Sequence, residues 1–292
     1  MPSDDLRRKI RGIEMVARKA VHDLMSGRYR SHFKGHGVQF SEHRLYVPGD
    51  DVRHINWNVS ARTREPLVKK FDEERELSVF LVTDISQSHA FGSSLRLKSE
   101  CVVDIVALLA HVAIQSGDRV GGLLFAGGIE KKIPLGKGRK HALRMIREVL
   151  TFESRTKGTQ LRQALEVTER LLKRGGSIIF VISDFLAQDY ELVLKRLGKK
   201  HDVVALRIMD EQERKLPPAG QLFWRDPETG QQIWTDTSSF AFKKWFEDFI
   251  SQWDAQWNQS LKGARIETVE IATQEDYVQA LVRFFRARIH RS

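Results

Sequence analysis

Aspartate, serine and threonine side chains occur where predicted buried strands end, and side chains of these types can bind a metal ion. Asp84, Ser86 and Ser88 follow one apolar run, Asp184 ends another, and Thr159 stands at the predicted N-cap of a helix between them. Alternate residues of an extended segment point in the same direction, so Asp84, Ser86 and Ser88 would converge. In an α/β sheet, ligands bind just beyond the carboxyl ends of the central strands. The five side chains therefore form a candidate site.

The residue types of this candidate site suit Mg²⁺ or Mn²⁺. Mg²⁺ prefers oxygen ligands in an octahedron and keeps several of its waters. Ser86, Ser88 and Thr159 offer neutral hydroxyl oxygens, whereas Asp84 and Asp184 can hold metal-bound waters and balance the charge of the ion. Because the direct ligands are neutral, the ion stays electrophilic and retains affinity for one further carboxylate. The sequence therefore predicts a metal site that can accept an acidic side chain from outside.

The elements that would position these residues alternate between strands and helices. Such alternation favours an α/β fold with a doubly wound, mostly parallel sheet flanked by helices. The predicted strands cover residues 77–83, 118–125, 131–135, 177–183, 202–209 and 265–271. The predicted helices cover residues 95–116, 139–151, 160–173, 189–199, 240–261 and 274–288. A turn-rich hairpin, with strands at 221–224 and 232–235, forms an insertion near 220–237.

The part of the chain before this alternation has a different pattern. Residues 6–26 place apolar side chains on one helical stripe, and Gly27 follows them, which predicts an amino-terminal helix. Residues 31–76 are irregular and rich in glycine and charge, with short extended pieces at 38–40 and 67–69. We therefore expect residues 1–76 to form a helix and an irregular segment, and residues 77–292 to form the α/β domain.

Composition excludes several classes of protein. The chain has 292 residues, 41% of them hydrophobic, which is enough for a sizeable core. No apolar run approaches the roughly 18 residues that span a bilayer, and residues 1–11 lack the apolar stretch of a signal peptide, so we expect a cytoplasmic protein. The single cysteine, Cys101, lies in an apolar run, which predicts a buried side chain and excludes an internal disulfide.

The candidate metal site resembles the metal-ion-dependent adhesion site of von Willebrand factor type A (vWA) domains. Asp84-x-Ser86-x-Ser88, then Thr159 and then Asp184 are similar to the complete five-residue set of that family, in spacing and in strand context. In that family, a Glu or Asp of a partner protein occupies the open position of the metal. The resemblance implies a vWA/Rossmann-like fold and binding of a partner protein rather than catalysis.

The segment before the first buried strand resembles the bacterial "domain of unknown function 58" family. The similarity rests on Gly35-x-Gly37-x-x-Phe40 and on Arg44-x-Tyr46-x-Pro48-Gly49-Asp50-Asp51-x-Arg53-x-Ile55-x-Trp57-x-x-Ser60-Ala61-Arg62. It extends well over residues 28–190 and loosely over the remainder. Members of that family resemble vWA domains and are commonly paired with MoxR-type AAA+ ATPases. The resemblance therefore implies an adaptor or co-chaperone that works with such an ATPase.

Two interpretations stay open for five residues of this segment, Asp50, Asp51, Arg53, Trp57 and Arg62. They can form a structural ion-pair network that ties the irregular segment to the sheet, with the Trp57 ring buried as a lid. Alternatively, they can bind a partner. The first interpretation predicts a buried indole whose loss lowers the stability, and the second predicts that Trp57→Ala melts like wild type but loses a partner.

Two other functions remain as alternatives to a metal-dependent protein-interaction module. Lys plus Arg number 48 against 38 Asp plus Glu, and the resulting net charge of +10 would suit a nucleic-acid-binding protein. Asp84, Ser86 and His89 include the residue types of a metal-dependent or triad hydrolase, but no Gly-x-Ser-x-Gly turn is present. A zinc pair at His32 and His36 is a further, weaker alternative. Because the metal site resembles an adhesion site and no Gly-x-Ser-x-Gly turn is present, we predict a non-enzymatic protein.

Overall fold

The computed structural model describes residue 12 and residues 38–73, 77–86, 97–152, 154, 156–214, 220–225, 232–264 and 266–289. Several predicted features lie outside these ranges. They are the amino-terminal helix at 6–26 apart from residue 12, the glycines Gly35 and Gly37, the histidines His32, His36 and His89, and the proposed metal ligand Ser88.

The described elements follow the predicted alternation. In chain order, the strands are β1 (Val38–Leu45), β2 (Leu67–Glu73), β3 (Ser78–Asp84), β4 (Arg119–Phe125), β5 (Ile129–Gly136), β6 (Ile178–Ser183), β7 (Asp202–Met209), β8 (Gln221–Arg225), β9 (Gln232–Asp236) and β10 (Ile266–Ala272). The α-helices are α1 (Trp57–Thr63), α2 (Lys98–Gln115), α3 (Arg139–Thr151), α4 (Leu161–Leu171), α5 (Glu191–Lys200), α6 (Glu211–Arg214), α7 (Phe240–Leu261) and α8 (Tyr277–Ile289).

A six-stranded sheet in the order β10-β7-β6-β3-β4-β5 forms the centre of the α/β part. All neighbouring strands in it are parallel except β5, which pairs antiparallel with β4 at the edge. The order runs outward in both directions from β3, which is the arrangement of a doubly wound sheet. The predicted fold class is therefore confirmed, and the predicted bounds of its strands and helices agree with the structure to within three residues.

Helices cover both faces of this sheet because the central strands are apolar on both sides. Along β3, Val79 and Leu81 pack on the face covered by α2, α3 and α8, whereas Phe80 and Val82 pack on the face covered by α4 and α5. Successive side chains of a strand point to opposite faces, so a continuous apolar run requires two covering layers. Cys101 is buried in the first of these layers, as predicted.

The irregular segment before the sheet contains more secondary structure than its sequence predicts. Strands β1 and β2 form an antiparallel pair, and a 3₁₀ helix (Val52–His54) and α1 lie in the connection between them. Near the end of β1, the Arg44 guanidinium donates two hydrogen bonds to Asp50 in that connection, at 2.6 and 2.7 Å. Asp51 Oδ1 accepts a hydrogen bond from Arg53 N at 3.0 Å and so caps the 3₁₀ helix. These contacts order the segment internally.

The interpretation that buries the Trp57 ring as a lid is wrong. Its residue exposure is 67%, and the Arg53 side chain is 88% exposed. Arg62 is also exposed. An indole at the amino-terminal end of a short helix is buried only if another element of the fold covers it. The residues next to it in the sequence do not determine whether such an element is present. The aromatic-lid interpretation is therefore rejected, and partner binding by this segment stays a prediction.

Among the described residues, no helix is both long and apolar enough to cross a membrane.

Candidate metal centre

The parallel pairing of β3 with β6 brings two aspartates to one edge of the sheet. Thr83 lies opposite Ile182, so Asp84 and Asp184 emerge at the carboxyl ends of neighbouring strands. Ser183 Oγ donates a hydrogen bond to Asp84 Oδ2 at 2.7 Å, which links the two strand ends directly. Both aspartates are buried. The structure thus brings together the two carboxylates that the sequence predicts for a single site.

Each aspartate is held by the backbone that follows it. Ser86 N donates to Asp84 Oδ1 at 2.9 Å, and Leu186 N donates to Asp184 Oδ1 at 3.0 Å. A hydrogen bond from a backbone amide to the aspartate carboxylate two residues earlier forms an Asx turn, which lets the chain change direction immediately after a strand. The Ser86 side chain is buried beside Asp84. Ser86 therefore belongs to the same polar cluster at the end of β3.

The loop that carries Thr159 lies at the same edge of the sheet, because it is hydrogen-bonded to the residue that follows β4. Gln160 N donates to Ala126 O at 2.7 Å, immediately after β4, and Ile85 N donates to Phe125 O at 2.9 Å. Thr159 is half-buried. The prediction that Thr159 is a helix N-cap is wrong, because α4 begins at Leu161 and its N-cap is Gln160, without a side-chain cap. Thr159 is therefore not the N-cap of α4.

A glycine permits this close approach between β4 and the Thr159 loop. A Cβ atom on Gly127 would lie 1.8 Å from Lys157 O, which no real contact allows. At the next position, Gly128, the nearest atom to an added Cβ would be Gln163 Oε1 at 3.8 Å, an ordinary van der Waals distance. Gly127 therefore has a specific positioning role that Gly128 does not share.

A buried lysine, which the sequence analysis did not predict, lies at this edge. Lys98 is fully buried, and its Nζ lies 3.3 Å from Asp184 Oδ2 and 2.7 Å from Glu213 Oε1. Burial by itself would lower the pKa of Lys98, but the negative charges of Asp184 and Glu213 and their hydrogen bonds raise it above its usual value. Lys98 is therefore a cation at the pH of the cell, enclosed between two carboxylates.

One local signal could have identified Lys98. It stands at the first position of α2. Backbone N–H groups there are already electropositive, so a cation is disfavoured unless nearby carboxylates compensate. Glu213 could not have been recognised in this way, because the short helix α6 that carries it was not predicted.

The donor set of the cluster suits a hard divalent cation. Its candidate donor atoms are oxygens, from the carboxylates Asp84 and Asp184 and from the hydroxyls Ser86 and Thr159. Within the described ranges, no group of three or more His, Cys, Asp or Glu residues has a geometry that could hold a metal. An ion at this edge therefore depends on hydroxyl oxygens and water as well as on the two aspartates. That chemistry fits Mg²⁺ or Mn²⁺ better than Zn²⁺.

Replacement of Lys98 by Met should lower the free energy of unfolding by about 3–5 kcal/mol, because it leaves the buried Asp184 and the partly buried Glu213 without their shared cation. The matched control is Lys131→Met. Lys131 pairs with Glu148 at 3.1 Å but is 39% exposed, so its loss should cost about 0–1 kcal/mol. Urea unfolding of the three proteins measures both differences. Equal losses of stability in the two variants would show that the ion pairs of Lys98 contribute no more to stability than an exposed ion pair does.

Gly127→Ala should lower the free energy of unfolding by about 1–3 kcal/mol, because the new methyl group forces the loop at Lys157 away from the end of β4. Gly128→Ala is the control and should unfold close to wild type, since the added Cβ there makes only ordinary contacts. Thermal melting followed by circular dichroism distinguishes the two. A Gly127→Ala protein as stable as the Gly128→Ala protein would contradict the proposed role of this glycine.

Comparison with solved structures supports the fold. The hypothetical protein BatB from Bacteroides thetaiotaomicron superposes with a TM-score of 0.50 and 18% identity, and the match covers 74% of this chain and all of that one. The VWA domain of SpRpn10 gives a TM-score of 0.40 with 9% identity, and the match covers 74% of this chain and 95% of that domain. At 18% identity, the likeness to BatB concerns the fold alone.

Comparison of sequences identifies the family. The uncharacterized protein Rv1480 of Mycobacterium tuberculosis is 28% identical over 284 residues, which cover 96% of this chain and 88% of that protein. The uncharacterized protein YeaD of Bacillus subtilis is 33% identical over 107 residues, which cover 36% of this chain and 24% of that protein. Residues 42–256 match the family described as "Protein of unknown function DUF58". Because that match spans well over half of the sequence, the chain belongs to the DUF58 family.

Proposed function

We propose that this chain is a metal-dependent protein-interaction module that binds Mg²⁺ or Mn²⁺ at the carboxyl edge of β3 and β6. The observation that supports the proposal is the meeting of Asp84, Ser86 and Asp184 at that edge, with the Thr159 loop held against the end of β4. In the proposed site, Ser86, Ser88 and Thr159 supply direct oxygen ligands. The two aspartates hold metal-bound waters and balance the charge of the ion.

The electrostatics of the edge favour a partner that supplies a carboxylate. Lys98 lies against Asp184, so the negative charge of Asp184 is already shared with an internal cation. The proposed direct ligands are neutral hydroxyls and water, and they leave a strong local field at the ion. A Glu or Asp of the partner would replace one water with a full negative charge at about 2.1 Å from the ion. Removing that carboxylate from water is costly, so binding should depend strongly on geometry.

The partner proposed from the family resemblance is a MoxR-type AAA+ ATPase, with this chain acting as its adaptor or co-chaperone. A vWA-like fold in a family of unknown function fits an interaction module of this kind. The exposed indole of Trp57 offers a second contact area for a partner, apart from the metal. Catalysis by the chain itself is not part of the proposal.

Saturation with Mg²⁺ or Mn²⁺ should stabilise the folded chain, because an ion that binds only the folded state shifts unfolding by mass action. At about 100 times the dissociation constant, the gain should be roughly 2.7 kcal/mol. Thermal melting with each ion and with EDTA measures it. Ser86→Ala and Thr159→Ala should lose the gain, whereas Ser260→Ala, which removes a buried hydroxyl from α7, should retain it. An equal gain in wild type and in all three variants would show that the ion binds at a different site.

Capture of a partner from the native host should require a divalent ion and should fail in EDTA. Restoring Mg²⁺ should restore capture, and Thr159→Ala should abolish it without unfolding the chain. Changing one acidic residue of the captured partner to its amide should have the same effect, because the amide carries no charge for the ion. Trp57→Ala tests the second contact area, and Leu192→Ala is its control at another exposed apolar residue. A partner held equally well in EDTA would contradict the metal-dependent mechanism.

A further inference from the structure

Strand β5 contains a β-bulge at the same edge of the sheet as the candidate metal centre. Leu124 of β4 lies opposite Lys131 of β5. The next residue, Phe125, lies opposite Ile129, so Glu130 is the extra residue of the bulge. Because β5 runs antiparallel to β4, its first residues lie at the carboxyl end of β4. A bulge changes the direction of a side chain and is often found beside a functional site.

The side chain of Glu130 binds the loop that carries Thr159. Glu130 Oε1 accepts a hydrogen bond from Thr156 N at 2.9 Å and one from Thr156 Oγ1 at 2.6 Å. Ser154 Oγ, which donates to the carbonyl oxygen of Thr156 at 2.8 Å, lies 3.3 Å from the same Oε1. Hydrogen bonds to a carboxylate are roughly twice as strong as those between neutral groups. Glu130 therefore fixes the loop three residues before Thr159.

Two backbone contacts hold the same loop closer to Thr159. Gln160 donates its backbone N–H to the residue that follows β4, at 2.7 Å, and Gly127 allows the backbone of Lys157 to approach that strand end. Thr159 thus lies between anchored positions on both sides. These two contacts belong to the backbone, whereas the contact of Glu130 uses a side chain. It can therefore be removed by a substitution outside the loop.

A metal ligand on a loop depends on contacts of this kind. Thr159 is half-buried and lies in a segment without regular secondary structure. A ligand side chain must stay within about 0.5 Å of its productive position to contribute fully to binding. If the loop adopts that position only about a tenth of the time, the apparent affinity for the ion falls about tenfold. The contacts that fix the loop therefore determine how tightly the proposed site can hold a cation.

We propose that Glu130 is a positioning residue that holds the Thr159 loop in its metal-binding conformation and so sets the affinity of the site for Mg²⁺ or Mn²⁺. Glu130 acts through its hydrogen bonds to Thr156 and does not bind the ion itself. This inference rests on the proposed metal-dependent function, and it assigns to the bulge of β5 the task of directing a carboxylate onto the loop.

Titration of the full chain with MnCl₂, followed by electron paramagnetic resonance of the free ion, measures the affinity. Glu130→Ala should weaken Mn²⁺ binding by about tenfold or more. Glu130→Gln should stay within about threefold of wild type, because its amide oxygen still accepts from Thr156 although the negative charge is gone. The control, Glu148→Ala, removes a glutamate of α3 that pairs with Lys131 at 3.1 Å, and it should bind Mn²⁺ like wild type.

A double-mutant cycle tests whether Glu130 acts through Thr156. Thr156→Val removes the hydroxyl that donates to Glu130 and keeps the backbone N–H and the shape of the side chain, so it should weaken Mn²⁺ binding less than Glu130→Ala does. The double variant Glu130→Ala/Thr156→Val should bind Mn²⁺ no more weakly than Glu130→Ala, because both substitutions break the same contact. Urea unfolding confirms that each variant is folded under the conditions of the titration.

Residue-resolved amide hydrogen exchange in EDTA tests the loop without the ion. The Thr156 N–H should exchange about tenfold faster or more in Glu130→Ala than in wild type, because its acceptor is lost. Unchanged exchange would overturn the role of Glu130 in holding the loop.

Three results would overturn the link between Glu130 and the ion. They are faster exchange with unchanged Mn²⁺ affinity, equal losses of affinity in Glu130→Gln and Glu130→Ala, which would assign the effect to charge, and additive losses in the double variant. A wild type that binds no Mn²⁺, although its loop exchange responds to Glu130→Ala, would overturn the proposed function and with it that link.

Discussion

The side-by-side ending of β3 and β6 is the constraint on which the candidate metal centre depends. It places Asp84 and Asp184 at one edge of the sheet, where both carboxylates are buried. A buried carboxylate is strongly destabilising unless hydrogen bonds or opposite charges compensate it. Backbone amides, Ser183 Oγ and Lys98 Nζ provide that compensation. The fold can therefore keep two negative groups in its interior, at the edge where the metal site is proposed.

A chain of charged contacts connects this edge to helix α7. Lys98 contacts Glu213 on α6, and the next residue, Arg214, donates to Asp254 on α7 at 2.6 Å. Asp254 also pairs at 2.9 Å with Arg207, which is fully buried in β7. The helix is thus oriented by ion pairs as well as by its buried indoles. The carboxyl edge of β3 and helix α7 are therefore linked by a continuous set of ion pairs.

The sequence by itself determined the alternation of strands and helices and most of their bounds. Apolar runs and helical periodicity are local properties, and they were strong enough to predict β7 (Asp202–Met209) and α7 (Phe240–Leu261) with the bounds that the structure has. Local position also identified Asp84 and Asp184 as neighbours, because both follow fully apolar strands of a parallel sheet. The full metal site stays a prediction, since Ser88 lies outside the described residues.

Only the tertiary structure decided which side chains are covered and which charges meet. The partners of Lys98 are far from it in the sequence, and Asp184 is 86 residues away. The sequence of α7 is aromatic along both halves, yet only the half beside Arg207 and Phe185 is buried. One of the two interpretations of the sequence covered Trp57, which is exposed. Local periodicity defines an element and its apolar face, whereas burial and ion pairing depend on residues that other elements bring to that face.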